Sequence, residues 1–345
     1  MATFRCEVVP VKLEPHPNAD SLSLVKVWGY TVVVKTADWE GLDRGVYIPP
    51  DSVIPFQPRF AFLFSPDRLT RWEESGSEVG GLTTRITVHR FRGVYSEGLL
   101  VPLEKEFECM AMGTDRAPAW GITHYEPPIK YQTRGQAVPA TPGPPGLVIP
   151  TYGVENFKRY GDCIPAGTPV YVTEKIHGCS ARYVYAGVQG WNREMFVGSR
   201  TSWKAYSQVD PWNQCLKQNP WIEGWCRAYP DGVLYGEVFG QVQDLKYGAK
   251  NGELFFRAFD VWNRGRWLNY AELEGVVSPE HRAPVVFLGP FDEKLVRKIA
   301  ERDSVICPGQ CAEGVVICPL VEMDSPIIGR VQLKIVSNRY LERAK

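Results

Sequence analysis

Thr173-Glu174-Lys175-Ile176-His177-Gly178 is the stretch of this chain best equipped for chemistry. A run of β-formers, Pro169 to Val172, leads into it, and Ser180 to Tyr185 resumes the pattern after the turn at His177-Gly178. Lys175 therefore stands at a strand end, where its side chain can be held rigidly and partly desolvated. Burial and neighbouring cations lower a lysine's pKa from about 10.4 and release the neutral amine that a nucleophile needs. A lysine three residues before a glycine is weak evidence alone, since Lys26–Gly29 and Lys158–Gly161 share the spacing. The strand–turn–strand context separates Lys175 from both and makes it the candidate nucleophile.

Charged groups recur at later strand ends and turns. Arg200 follows the turn in Phe196-Val197-Gly198-Ser199-Arg200, and Glu237 sits inside the apolar run Val233 to Phe239. Phe259 and Asp260 place an aromatic face beside a carboxylate within the strand-like run Leu254 to Trp262. Glu313 precedes Val315 to Cys318, and Lys334 lies within Val331 to Val336. Charge inside a strand is costly unless it faces a polar cavity, so these strands are expected to converge on one. Glu274-Gly275-Val276-Val277 repeats the Glu313-Gly314-Val315-Val316 string. It follows an N-capped helical pattern from Asn269, however, and is expected to end a surface helix.

The elements that must position these residues form a β-rich α+β chain. Its 345 residues suggest two domains. Hydrophobic residues make up 44% and charged residues 23%, which excludes disorder over most of the length. Residues 1–125 read as a small β-barrel, with short runs at Phe4 to Val11, Leu22 to Val27, Tyr30 to Lys35 and Thr84 to Phe91, and a turn cluster at His16-Pro17-Asn18-Ala19-Asp20. Residues 126–150 are rich in proline and read as a stiff linker. Residues 151–345 form the second domain, mixing strands with a few helices, one of them starting at Asn269.

Lys+Arg and Asp+Glu both number 39, so any phosphate-binding surface must be local. No run approaches the ~18 apolar residues of a membrane helix, and the start lacks the regions of a signal peptide. The reading is of an intracellular monomer with no membrane partner. The nine cysteines include no Cys-x-x-Cys pair, and Cys307, Cys311 and Cys318 lack the spacing of a zinc site. They read as free, mostly buried thiols of a reducing compartment.

Taken in order, the segments around Lys175, Arg200, Glu237, Phe259, Glu313 and Lys334 resemble the motifs of the covalent nucleotidyltransferases, the superfamily of ATP-dependent ligases and RNA-capping enzymes. Glu174-Lys175-Ile176-His177-Gly178 is more similar to the nucleophile motif of nick-sealing RNA ligases than to that of DNA ligases, which usually carry Asp at the position of His177. The N-terminal half resembles the oligonucleotide-binding (OB) module of RNA ligases of the Deinococcus and Naegleria type, through His16 to Val27, Gly45 to Pro55, Arg92 to Pro102 and Gly121 to Pro128. The fold implied is an OB-like barrel followed by a nucleotidyltransferase domain.

The resemblance implies that Lys175 attacks the α-phosphate of ATP to give lysyl-AMP, that AMP passes to an RNA 5′-phosphate, and that a 3′-OH then seals the nick. It implies that Glu174, Arg200, Glu237 and Phe259 hold the nucleotide, with Lys334 on the α-phosphate, and that His177 is a catalytic residue pointing either away from the turn or toward the pyrophosphate and metal. Glu313, with Asp260, would hold Mg²⁺ or Mn²⁺, and Arg200 and Ser180 would meet RNA. Two positions depart from the family pattern. Cys179-Ser180 stands where Thr-Asn or Thr-Ser is common, and Val336 stands where many relatives have a second lysine. In the barrel, Arg90, Arg92 and Lys105 are the cations available to follow phosphates in a nicked duplex. The rival readings are a GTP-using RNA guanylyltransferase, which usually carries its OB domain after the catalytic domain, and a non-catalytic RNA-binding protein on the same fold.

Overall fold

The structure, a computed structural model, describes residues 4–74, 81–103, 110–125, 140–187, 192–207 and 209–343. The chain divides into two compact units, one reaching Glu126 and the other running from Pro127 to Tyr340. Lys105, Cys109 and residues 126–139 of the expected linker lie outside the described residues.

The N-terminal unit is built from short antiparallel strands. They are β1 (Glu7–Pro10), β2 (Leu13–His16), β3 (Ala19–Val27), β4 (Tyr30–Lys35), β5 (Arg44–Ile48), β6 (Ser52–Pro55), β7 (Thr83–Arg85), β8 (His89–Phe91), β9 (Val94–Ser96), β10 (Leu99–Pro102) and β11 (Thr123–His124). Two three-stranded sheets, β1-β5-β10 and β2-β3-β4, carry the barrel. Alternation sets their inward faces: Val25, Val27, Val32 and Val34 are buried while Lys26 and Lys35 are exposed. The single strand expected over Thr84 to Phe91 is two. Ile86 turns its backbone N–H to Ser52 O and accepts from the Asp51 N–H, both at 2.8 Å. The chain is thereby handed from the partner β6 to the hairpin β8-β9.

The second unit holds β12 (Ala140–Thr141), β13 (Glu155–Asn156), β14 (Pro169–Lys175), β15 (Cys179–Ala186), β16 (Glu194–Ser199), β17 (Trp203–Lys204), β18 (Val233–Gly240), β19 (Leu254–Asn263), β20 (Arg266–Trp267), β21 (Val285–Pro290), β22 (Gly314–Pro319), β23 (Asp324–Ser325), β24 (Gly329–Arg330) and β25 (Leu333–Val336). They assemble a seven-stranded sheet, β12-β17-β16-β15-β18-β19-β20, a five-stranded sheet, β13-β25-β22-β14-β21, and the two-stranded pair β23-β24. The end of the expected linker therefore belongs to this unit, because Ala140 and Thr141 pair with Lys204 and Trp203.

Helices cover the outer face of the larger sheet. The helix Pro211–Gln218 is capped by Asp210, whose carboxylate accepts the backbone N–H groups of Trp212 and Asn213. The helix expected from Asn269 spans Tyr270–Val276 and starts with a capping box between Asn269 and Glu272. Trp212, Cys215, Ile222, Trp225 and Leu273 form one core with Phe256 and Val238 of the sheet. A second core, with Val172, Val315 and Leu333, lies between the smaller sheet and the helix Glu293–Ala300.

A buried polar tie links the two sheets. Asp260 of β19 is 1% exposed and takes Arg330 Nη2 at 2.7 Å and Gln332 Nε2 at 3.0 Å. Arg330 also pairs with Glu322 and lies 4.1 Å over the Trp267 ring. Removing one partner from such a pair strands a buried charge, at a cost of about 3–5 kcal/mol. Arg330→Ala is therefore expected to lower the unfolding free energy by about that amount in urea titration. A loss under about 1 kcal/mol would mean that Asp260 finds its neutralisation elsewhere.

Candidate active site

Lys175 stands where β14 meets β22. Lys175 lies opposite Gly314 in that antiparallel pair, so Glu313, one residue earlier, falls beside it. Lys175 Nζ donates to Glu313 Oε1 at 2.6 Å. Gly314 is required by close approach, since a Cβ there would come within 1.9 Å of Ile335 O. Gly178 answers the same need on the other sheet, where a Cβ would come within 2.1 Å of Val238 O. Both glycines of the motifs are thus fixed by backbone packing.

A cavity of about 210 Å³ opens over this pair, with Lys175, Lys334, Arg200, Glu237, Phe259 and Ser180 in its lining. Ser180 and Glu237 face each other across β15 and β18. Phe259 reaches the cavity through a bulge: Tyr235 pairs with Asp260 and Gly236 with Ala258, leaving Phe259 as the extra residue. Its ring packs against Tyr152 in a tilted contact, 4.5 Å between centroids. Lys334 arrives from β25, whose neighbour is β22.

Charges in and around the cavity are strongly coupled. Burial pushes Glu237 up to about 8, despite the opposing pull of Lys175. Burial would also raise Glu313, but the Lys175 ammonium and His177 beside it win and hold it down to about 2. Burial, then Lys175, and also Arg200, bring Lys334 down to about 8. His177 is buried and gripped from both sides: Nε2 lies 2.6 Å from Asp244 Oδ1 and Nδ1 lies 3.3 Å from Glu313 Oε2. Burial alone would lower its pKa, yet Glu313 and Asp244 raise it, favouring the imidazolium. Its backbone N–H donates to the Tyr247 hydroxyl at 2.7 Å, and its ring packs on Tyr340.

Of the residues singled out by sequence, Lys175, Glu174, Ser180, Arg200, Glu237, Phe259 and Lys334 line the cavity, with Glu313 against Lys175 and His177 beside Glu313. Asp260 departs from the expectation. Its carboxylate is taken by Arg330, Gln332 and the Val261 N–H, and it does not line the cavity. Glu174 reaches the lining, but its carboxylate takes the Ser304 hydroxyl and the Val305 N–H, tethering that loop. Asp244, Tyr247, Tyr340 and Tyr152 went unnoticed in the sequence. Asp244 and Tyr247 sit in the loop between β18 and β19, where nothing in the spacing announces a contact with His177.

The geometry fits a cation held through one carboxylate. Glu313 Oε2 is buried and has no hydrogen-bond partner, its contact with His177 being off the bonding direction. Among the described residues no three His, Cys, Asp or Glu side chains converge as a complete metal cage. A hydrated ion completed by substrate oxygens would match this donor set. Eight described cysteines are free thiols, most of them buried.

A family model of RNA ligases matches residues 168–336, the span that carries Lys175, Glu237, Glu313 and Lys334. These residues form an RNA ligase domain. An OB-fold domain model matches residues 7–103, the barrel of the N-terminal unit. The whole chain superposes on solved structures of the Naegleria gruberi RNA ligase. One, with PPi, has a TM-score of 0.76 at 22% identity over 99% of both chains. A point mutant with ATP and Mn gives 0.78 at 22% identity, again over 99% of both. Another, with AMP and Mn, gives 0.74 at 23% identity over 98% of this chain and 97% of that one. At such identities the likeness establishes the fold. No curated protein sequence matches the chain. No helix among the described residues is long and apolar enough to cross a membrane.

The raised Glu237 carries a stability consequence. Its folded value of about 8 lies above the ordinary 4.5, so the native state holds a proton that the unfolded chain releases between those limits. Stability attributable to this group therefore falls as pH rises through that window. Glu237→Gln is expected to be more stable than wild type by about 1–3 kcal/mol near pH 8.5, with the gap closing toward pH 4.5. Thermal unfolding across that range checks it, and a pH-independent gap would contradict it.

Proposed function

We propose that the protein is an ATP-dependent RNA ligase that seals 3′-OH/5′-phosphate nicks in duplexes whose 3′-OH strand ends in RNA. The observation that carries this reading is the placement of Lys175. It ends a strand inside a cavity whose lining combines an aromatic ring (Phe259), a hydroxyl-accepting carboxylate (Glu237) and two further cations (Arg200 and Lys334). The ATP, AMP and pyrophosphate named with the Naegleria structures support the choice of nucleotide.

The chemistry follows in three phosphoryl transfers. The Lys175 Nζ lone pair attacks the α-phosphorus of ATP, the bond to the bridging oxygen breaks, and pyrophosphate leaves as the amine sheds a proton. A 5′-phosphate oxygen of RNA then attacks the same phosphorus, and the P–N bond breaks to return Lys175, which takes up a proton. Finally the 3′-OH attacks the activated 5′-phosphate, AMP departs and the hydroxyl proton is lost. Lys334 and Arg200 stabilise charge on the α-phosphate oxygens. Phe259 stacks on the base and Glu237 accepts from a ribose hydroxyl. Mg²⁺ or Mn²⁺ held by Glu313 would supply further charge neutralisation. His177, fixed by Asp244, orients Glu313.

Before the first step Lys175 must leave its ion pair. Glu313, if it held a cation, would pair less strongly with the ammonium and so would free Lys175 from this contact. In the last step Lys175, returned as the ammonium, is a cation beside the departing AMP.

A nicked duplex with an RNA 3′-OH end, incubated with ATP and Mg²⁺ or Mn²⁺, is expected to be sealed by wild type and not by Lys175→Ala. Replacing the terminal ribonucleotides on the 3′-OH side by deoxynucleotides should slow sealing at least tenfold. Sealing with GTP alone, or transfer of the nucleotide to a 5′-diphosphate end, would move the protein to the capping reaction. RNA binding without sealing under any nucleotide would leave a binding protein.

A further inference from the structure

The turn cluster His16-Pro17-Asn18-Ala19-Asp20 has a structural partner that the ligase chemistry does not use. It joins β2 to β3 and grips the tip of a different hairpin, β8-β9. His16 is buried, with Nδ1 accepting the Asn18 N–H at 3.1 Å and Nε2 lying 3.2 Å from Phe91 O. That pattern assigns the imidazole proton to Nε2, which donates to the carbonyl. Asn18 Nδ2 donates to Arg92 O at 2.8 Å. Two successive carbonyls of the tip are thus held by side chains from elsewhere.

The tip so held is unusual in what it presents. Phe91 pairs with Val94 across a two-residue turn in which Arg92 and Gly93 have φ of 46° and 93°. Asn, Asp or Gly is the usual first residue of such a turn, and a bulkier side chain costs roughly 1–2 kcal/mol there. Arg92 accepts that cost and points no charge at a carboxylate among the described residues. Phe91 is 44% exposed although it is a large apolar ring. Arg90 is exposed as well, and it lies over the Tyr95 ring at 5.3 Å while its Nε donates to Gly93 O. An exposed ring beside free guanidinium, on a backbone fixed in advance, is the combination that takes a nucleic-acid strand: charge for phosphate and a flat face for base or ribose.

We propose that the β8-β9 tip is an RNA contact of the N-terminal unit, with Arg92 on a phosphate and Phe91 against an adjoining base or ribose, and with His16 and Asn18 as its positioning residues. The proposal rests on the reading of RNA as substrate, but not on catalysis. Fixing the tip in the free protein reduces the ordering cost at binding.

The test measures binding of a nicked RNA duplex to the full chain by fluorescence anisotropy over a salt series, without nucleotide. The double variant Phe91→Ala/Arg92→Gly keeps a residue suited to positive φ in the turn, so the hairpin is retained. It should bind about tenfold more weakly, with a salt slope shallower by about one. Asn18→Ala, which removes no charge, should cost about threefold. Arg264→Gly removes one cation from the turn between Asn263 and Arg266, whose Arg264 and Gly265 also have positive φ, and should bind as wild type. Lysyl-AMP formation should be unchanged in all of them.

Binding of the double variant within twofold of wild type, an equal loss in Arg264→Gly, or no RNA binding by wild type would each overturn the proposal. Failure of wild type to form lysyl-AMP or seal would instead overturn the ligase reading, while the binding comparison still decides the role of the tip.

Discussion

The contact between Lys175 and Glu313 is the point on which the second unit turns. It exists because β14 and β22 are antiparallel neighbours with Lys175 opposite Gly314, and because Gly314 lets β25 come closer than any side chain would permit. The 2.6 Å contact lies on the edge of a cavity that also receives Lys334 and Arg200. Three cations and a buried imidazole gather where two carboxylates, Glu237 and Glu313, must share the balancing charge. The two do not share it equally. Glu313, in direct contact with Lys175 and His177, is driven toward the anion, and Glu237 toward the neutral acid. Two carboxyl groups of one site pushed in opposite directions are a mark of assigned roles.

Anions are what this arrangement lacks. A nucleoside triphosphate and a divalent ion would bring both signs together, the phosphates to Lys334 and Arg200 and the ion to the free lone pairs of Glu313. The chain as a whole has no net charge, so attraction for phosphate must be local, in this cavity and at exposed arginines of the N-terminal unit. That distribution suits an enzyme that must release its product, because a uniformly basic surface would hold sealed and nicked RNA alike.

Much of the site was legible because its residues violate the usual rule for strands. Lys175, Glu237 and Lys334 are charges within or at the ends of apolar runs, and the desolvation cost of such positions announces a cavity. Tyr30–Lys35 emerged with the bounds read from the sequence because it is a run of β-formers and glycine precedes it. Asp260 misled for the converse reason. It too is a charge in an apolar strand, but its compensation is the distant Arg330, and no local pattern distinguishes a buried ion pair from a metal ligand. Phe259 and Asp260 also differ in fate because of a bulge, which spacing alone does not reveal. His177 was recognised, whereas its clamp was not, since Asp244 and Tyr247 come from the loop between β18 and β19 and Tyr340 from the C-terminal helix Asn338–Arg343, both remote in sequence. The division of Thr84 to Phe91 into two strands was likewise hidden, because the run keeps its β-formers while its backbone changes partners.

We propose Lys175 as the residue to which AMP becomes attached, with Glu313 governing its availability. Peptide mapping by mass spectrometry, after incubation with α-phosphate-labelled ATP or GTP and Mg²⁺ or Mn²⁺, tests both. One acid-labile AMP adduct is expected, on the peptide containing Lys175, formed from ATP. No adduct is expected in Lys175→Ala, and one formed at least about a hundredfold more slowly in Glu313→Gln. An adduct on another residue, or formation at the wild-type rate in Glu313→Gln, would contradict the proposal.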